Sequence, residues 1–409
     1  MNDRHYRWVI VAAGGMLGCV AIGAMFALPV FISPMAQTTG WSRTGISSAM
    51  TIGFLAMGLA SVGWGALADR FGARAIVLVG SLLLALSIAL ASRAQSLIEF
   101  QLVFGLLVGL ATSAIFAPMM ATVAGWFDTH RSLAVSLVSA GMGMAPLTMA
   151  PLAAWLISRY DWRTAFLLIA VVVVGLMVPA ALLVRRPPAL AAPGGTVPAN
   201  AGIGSEMTVA RAVRSPQFII LMLTNFCCCA THSGPIFHTV SYAITCGIPA
   251  MTAVSIYSLE GLAGLGGRVA FGLLGDRFGA KNVLVAGLFV QALGALGYFF
   301  VRQLGEFYAV AALFGFTYAG VMPLYAVLVR ENFPLRMMGT IIGGTAMAGS
   351  LGMAAGPLAG GWIYDTYATY GWLYVASFGI GIGAFLIAST FKPFPRPIAI
   401  PAGRGQSAS

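Results

Sequence analysis

Ser255-Ile-Tyr-Ser-Leu-Glu260-Gly-Leu-Ala-Gly264-Leu-Gly-Gly-Arg268-Val-Ala-Phe-Gly272-Leu-Leu-Gly275-Asp276-Arg277-Phe-Gly279-Ala-Lys281 reads as a membrane-crossing helix that ends in a tight charged turn. Two ionisable residues, Glu260 and Arg268, fall inside its apolar part. At 1.5 Å of rise per residue, Arg268 lies about 12 Å into the membrane from the turn at Asp276. Glu260 lies about as far from the other end of the helix. A charge at that depth is costly unless it faces protein, water or a counter-ion, so both residues are candidates for a functional site around which the other helices form a cavity.

The composition agrees with a membrane chain. Of 409 residues, 59% are hydrophobic and 8% charged, with a mean hydropathy of +0.91. In soluble domains about a quarter of residues are charged. The net charge of +11 is spread over short loops rather than gathered into a patch or arm, which argues for membrane topology and against a nucleic-acid partner. Cys19, Cys227, Cys228, Cys229 and Cys246 lie in or at the ends of apolar runs without C-x-x-C spacing, so they read as small helix residues and not as metal ligands. The first apolar run is too long for the core of a cleaved signal.

Breaking the chain at charged and Pro/Gly-rich clusters leaves twelve apolar runs: 8–31, 45–67, 75–92, 100–124, 132–157, 164–184, 217–244, 252–274, 282–301, 305–329, 338–363 and 371–391. Each is long enough to cross the hydrocarbon core, the third only just. The expected organisation is an N-terminal six-helix bundle (1–184), a Pro/Ala/Gly-rich linker (185–215), a second six-helix bundle (216–391) and a tail (392–409). Residues 206–214 could form a short surface helix. With the N-terminus inside, sixteen of the 22 Lys and Arg residues fall on the cytoplasmic side, five on the far side, and Arg268 within the membrane. That bias places both termini in the cytoplasm.

The halves repeat each other. Gly65-Ala-Leu-Ala-Asp69-Arg70-Phe-Gly72-Ala-Arg74 recurs as Gly272-Leu-Leu-Gly-Asp276-Arg277-Phe-Gly279-Ala-Lys281, at an offset of 207 residues. Pro151-Leu-Ala-Ala-Trp155 and Pro357-Leu-Ala-Gly-Gly-Trp362 form a second pair. Such repeats commonly hold a substrate between them near the membrane midplane.

The motif G-x-L-x-D-R-x-G-x-[RK] after the second run, carried by Gly65, Leu67, Asp69, Arg70, Gly72 and Arg74 with a second copy after the eighth, resembles the signature of the major facilitator superfamily. The resemblance implies an all-α membrane protein of twelve transmembrane helices in two pseudo-symmetric six-helix bundles. Within that superfamily the chain is similar to the monocarboxylate porter branch, with its bacterial oxalate/formate-type relatives. The narrower match rests on Trp126-Phe127 through Arg131-Ser-Leu133-Ala134 to Ala140-Gly141, on Arg268, and on Gly356-Pro357-Leu-Ala-Gly360-Gly-Trp-Ile-Tyr364-Asp365. It implies that Arg268 holds a substrate carboxylate. It also implies that Gly65, Asp69, Arg70, Gly72, Arg74, Asp276, Arg277 and Gly279 form gating turns that lock the cytoplasmic side. The chain departs from the branch in two ways. Gly264 stands where proton-coupled members have an aspartate one turn before the arginine, and the first and eleventh runs lack a lysine.

The residues themselves support parts of this reading. An arginine keeps its charge and offers a planar fork to a carboxylate. At the repeat-equivalent positions Arg268 faces Ser61 and Glu260 faces Gly53, so the scaffold does not require charge there. Glu260 can serve as a proton carrier, because a carboxyl in low dielectric gains by taking up a proton, or it can be a hydrogen-bonded helix residue. His238 is open to a gate or relay role, or to an interhelical bond. His232, Asn225 and Tyr318 are the polar residues expected to line the substrate site beside Arg268; Tyr325, Thr112 and Ser113 are further hydroxyls of either kind.

The expected activity is secondary transport of a small organic anion, a monocarboxylate, driven by protons and by rocking of the two bundles. The expected partners are that anion, protons and the lipid of a bacterial cytoplasmic membrane, with a monomer as the working unit and no cofactor. A drug or cation exporter of the same fold is the alternative, and a membrane sensor a third. The chain has no phosphate-binding loop and no H-E-x-x-H, which argues against an ATP-driven pump or an enzyme.

Overall fold

The computed structural model describes residues 3–127, 129–187 and 207–394, which are helical almost throughout. Among the described residues, ten helical segments are long and apolar enough to cross a membrane, from His5–Ile32 to Gly371–Ser389. They match ten of the twelve expected runs. The fifth and eighth runs are helical too, within Arg131–Arg159 and at Ala250–Phe278. In the eighth, Glu260, Arg268 and a series of serines and glycines dilute the apolar character.

The spans are not all continuous. The first continues from Asp3–Phe26 into a second helix, Leu28–Thr39, across Ala27. The fifth, expected as one helix over 132–157, is two: Arg131–Gly143 and Ala145–Arg159, joined at Met144. Pro146 causes the break. It sits in the first turn of the second piece and has no N–H for the carbonyl four residues back. The fourth span carries a wider turn over Gln101–Leu107, where the Gln101 amide bonds the Gly45 carbonyl at 2.9 Å and the Ser48 hydroxyl at 2.8 Å.

Glycines let the spans pack backbone to backbone within each half. A Cβ on Gly109 would lie 2.2 Å from the Gly53 carbonyl oxygen, tying spans two and four. The same pairing recurs between spans eight and ten, where a Cβ on Gly267 would lie 1.9 Å from the Phe316 oxygen and one on Gly315 2.2 Å from that of Glu260. Both motif turns pass through a glycine, Gly72 at φ 93° and Gly279 at φ 86°, where a side chain would be strained. Large apolar side chains such as Leu59, Val171 and Leu262, which are 68%, 67% and 59% exposed, point outward, as lipid contact requires. The expected surface helix appears as Val209–Val213. Residues 188–206 of the linker and 395–409 of the tail lie outside the described residues.

Candidate functional site

The duplicated motif builds two matching cross-links between the halves. Asp69, at the end of the second span, accepts hydrogen bonds from the Gly339 and Thr340 backbone N–H groups at 2.8 Å each and from the Thr340 hydroxyl at 2.7 Å. Those donors are the first turn of the eleventh span, Met338–Tyr367. Asp276, at the end of the eighth, accepts from the Ser132 and Leu133 N–H groups at 2.9 and 3.1 Å, in the first turn of the fifth. Ser132 and Leu133 stand at the repeat offset from Gly339 and Thr340, as Asp69 does from Asp276. A carboxylate is the natural partner for such unpaired helix N–H groups, and each bridges to the opposite half. Arg70 and Arg277 also match, their guanidinium carbons 5.2 and 5.3 Å from the neighbouring Phe71 and Phe278 rings. Arg74 is exposed. Gly65 allows the second and eleventh spans to touch: a Cβ there would lie 2.1 Å from the Gly339 oxygen.

Arg268 lies two turns deeper. The lipid-facing stripe of its helix is Leu262, Gly266 and Leu273, and Arg268 is on the other side, toward the fifth span, and only partly buried. Its Nε donates to the Ser139 hydroxyl at 3.1 Å, across the seam between the halves. The guanidinium lies over Gly143, where a Cβ would be 2.4 Å from Nη1. The hydrogen bond is to a neutral hydroxyl and not to a carboxylate, so the cation keeps most of its capacity for an anion.

Tyr318 and His232 join Arg268. Tyr318 is near enough to interact with it electrostatically, and the His232 ring stacks on Tyr318 at 4.8 Å between centroids, 26° from parallel. Gln291 fixes the histidine. Its Nε2 lies 3.0 Å from the Cys228 carbonyl and 3.2 Å from His232 Nδ1, while its Oε1 faces the Cys228 thiol at 3.4 Å.

Glu260 is 1% exposed and turned toward the ninth and tenth spans. Tyr298 donates to its Oε2 at 3.3 Å, while Oε1 is buried with no hydrogen-bond partner. Tyr318 is near enough to Glu260, as it is to Arg268, to interact with it electrostatically. A carboxyl with one bare oxygen in an apolar surround can hold a proton at small cost and a charge only at large cost.

Two of the expected residues lie elsewhere. The Asn225 amide donates to the Thr345 carbonyl at 2.7 Å and accepts from Cys229, tying the seventh span to the eleventh. His238 is near the other end of the seventh span, beside Gly360 and 5.3 Å from the Tyr370 ring. Thr112 and Ser113 donate to carbonyls of their own helix. Sequence reasoning missed Ser139, Gly143, Tyr298 and Gln291. The spacing of Ser132, Ser136 and Ser139 on one face of the fifth span was a signal for the first of these.

The chain is similar to known transporters over most of its length. It is 28% identical over 390 residues to monocarboxylate transporter 13 of Bos taurus, covering 95% of this chain and 88% of that one. It is 25% identical over 366 residues to an uncharacterised MFS-type transporter of Bacillus subtilis (strain 168), covering 85% of each. The fold is that of the proton:xylose symporter XylE bound to 6-bromo-6-deoxy-D-glucose, with a TM-score of 0.75 at 16% identity over 96% of this chain and 97% of that one. A profile of the Major Facilitator Superfamily matches residues 14–355 and 269–407. With two helical halves cross-linked by a repeated motif, and with these matches, the chain belongs to the Major Facilitator Superfamily and is a membrane transporter, not an enzyme.

Proposed function

We propose that this transporter moves a small monocarboxylate, with Arg268 holding the carboxylate and Tyr318 and His232 completing the contact. The observation that carries this reading is a half-buried guanidinium deep in the membrane, turned away from lipid and bonded to a hydroxyl across the seam. A permanent structural cation at that depth would be paired with a carboxylate. Glu260 is the proposed proton carrier, with Tyr318 linking its state to that of the anion site. The motif carboxylates Asp69 and Asp276 close the cytoplasmic side, and their release opens it. The Lys/Arg bias supports cytoplasmic termini, and the proposed setting is a bacterial inner membrane with a monomer as the working unit.

The test is uptake of labelled pyruvate and lactate by proteoliposomes. Arg268→Gln abolishes uptake while membrane insertion is retained; unimpaired uptake removes Arg268 from the substrate site. Efflux of cationic dyes from the same vesicles, with no carboxylate transport, would instead favour the exporter reading.

A further inference from the structure

Ser139 and Gly143 stand against Arg268, one turn apart on the first piece of the broken fifth span. Three observations single them out. The Ser139 hydroxyl is 3.1 Å from Arg268 Nε and belongs to the opposite half of the molecule. Gly143 has the guanidinium over its α-carbon, and a Cβ there would lie 2.4 Å from Nη1 and 2.8 Å from Cζ, closer than such atoms approach. The helix ends at this point, because Pro146 stops it, so the negative end of a 13-residue helical segment sits beside the cation.

The repeat supplies the comparison. At the offset of 207, Arg268 becomes Ser61, Ser139 becomes Ala346 and Gly143 becomes Ser350. In that seam the Ser61 hydroxyl lies 2.7 Å from both the Gly343 carbonyl of the other half and the Gly58 carbonyl of its own helix, so a neutral hydroxyl shared between two backbone oxygens stands where the guanidinium does. All three positions therefore differ between the seams: where the guanidinium is present, its partner is a hydroxyl, and the residue beneath it has no side chain.

We propose that Ser139 and Gly143 are positioning residues for Arg268, holding the empty guanidinium across the seam until the substrate carboxylate displaces the Ser139 hydroxyl. This rests on the reading of Arg268 as the anion site. A carboxylate brings a full opposite charge and two oxygens that match the guanidinium fork, where the hydroxyl offers one neutral acceptor, so the exchange favours the substrate. It also removes one bond between the halves as the site fills, so that loading loosens the seam that must part for the bundles to rock.

The test is the rate at which phenylglyoxal, an arginine-directed dicarbonyl, modifies Arg268 in the full-length protein in lipid nanodiscs, read by peptide mass spectrometry. Pyruvate is the competing carboxylate. Ser139→Ala is expected to raise the modification rate and to lower the half-protecting pyruvate concentration by roughly three- to tenfold, since the anion no longer competes with the hydroxyl. Ser139→Thr, which restores an Oγ, returns both toward the native values. Gly143→Ala displaces the guanidinium and raises the modification rate while weakening pyruvate protection. If Ser139→Ala leaves rate and protection unchanged although Arg268→Gln still abolishes uptake, the positioning role is overturned and the anion site stands. If Arg268→Gln leaves uptake intact, the anion site falls, whatever Ser139 does.

Discussion

Replacing Asp69 by Asn tests the proposed lock between the halves. The carboxylate takes three donors, at 2.8, 2.8 and 2.7 Å, from the first turn of the eleventh span. Hydrogen bonds to a charged group contribute about 1.5–3 kcal/mol each, and the charge at a helix N-terminus adds about 0.3–1 kcal/mol. The amide keeps one acceptor oxygen, loses the charge and turns an NH2 toward other donors. One or two charge-assisted bonds are lost, which destabilises the closed arrangement by about 2–5 kcal/mol. Asp276 takes two donors and is more exposed, so Asp276→Asn costs about 1–3 kcal/mol.

The assay is hydrogen exchange of the donor amides in lipid nanodiscs. Gly339, Thr340, Ser132 and Leu133 each give their N–H to a motif carboxylate, so their exchange reports opening of the two seams separately. At about 1.4 kcal/mol per factor of ten, Asp69→Asn accelerates exchange at 339–340 by roughly thirty- to four-thousandfold. Because rigid halves part as units, exchange at 132–133 rises with it, although nothing there is mutated. Unchanged exchange at 339–340 would refute the lock. A rise at 339–340 without one at 132–133 would refute the coupling of the seams.

Glu260→Gln is expected to abolish the pH-gradient dependence of uptake while leaving substrate exchange in place; unaltered pH dependence turns suspicion to His238. Asn225→Ala is expected to lower thermal stability by about 1–3 kcal/mol, since it leaves the buried Thr345 carbonyl without that donor, with substrate affinity unchanged; a large loss of affinity returns Asn225 to the site. Gly267→Ala puts a methyl group 1.9 Å from the Phe316 oxygen and is expected to cost about 1–3 kcal/mol or prevent assembly, read as loss of monodisperse protein in detergent. Asp161 caps the sixth span, with its side chain accepting from the Thr164 hydroxyl and from the Arg163 and Thr164 N–H groups. These bonds, the hydroxyl first, hold its carboxyl below the usual aspartate value. The cap is fully present above pH ~3.8 and is lost only as pH falls through the lowered value. Asp161→Ala accordingly shifts the melting temperature downward at neutral pH, and less so in acid.

What the sequence carried openly was whatever repeats or must satisfy the bilayer. Apolar run length placed the helices, and the two copies of the motif marked both turns, because lipid allows few alternatives for the backbone and a duplicated chain reuses its contacts. The break in the fifth span was also legible, since Pro146 and Gly143 stand together, but a hydropathy reading smooths over a proline. The site was harder. Depth singled out Arg268 and Glu260, yet depth does not say which neighbour a side chain meets. Asn225 and His232 lie seven residues apart on one polar helix, and only packing decides that the first bonds the eleventh span while the second stacks on Tyr318. Ser139 was one serine among several until the eighth span was laid against it.

The repeat also separates parts of the mechanism. Where the halves agree, the residues join them: Asp69 and Asp276 with their matching helix ends, and Gly72 and Gly279 with matching backbone angles. A pair of equal contacts related by the repeat can be made and broken together, which is what a reversible closure between two bundles requires. Where the halves differ stand the residues of the proposed site: Arg268 against Ser61, Glu260 against Gly53, Ser139 against Ala346. A substrate is not symmetric, and a site that binds it at the interface of two similar bundles must break the symmetry somewhere. In this chain the break falls on the eighth span and its two neighbours. A search for further site residues therefore belongs among the positions at which that seam departs from its counterpart, and Ser136 is the next. Its hydroxyl is buried without a hydrogen-bond partner beside Gly272, while the equivalent Gly343 supplies the carbonyl that holds Ser61.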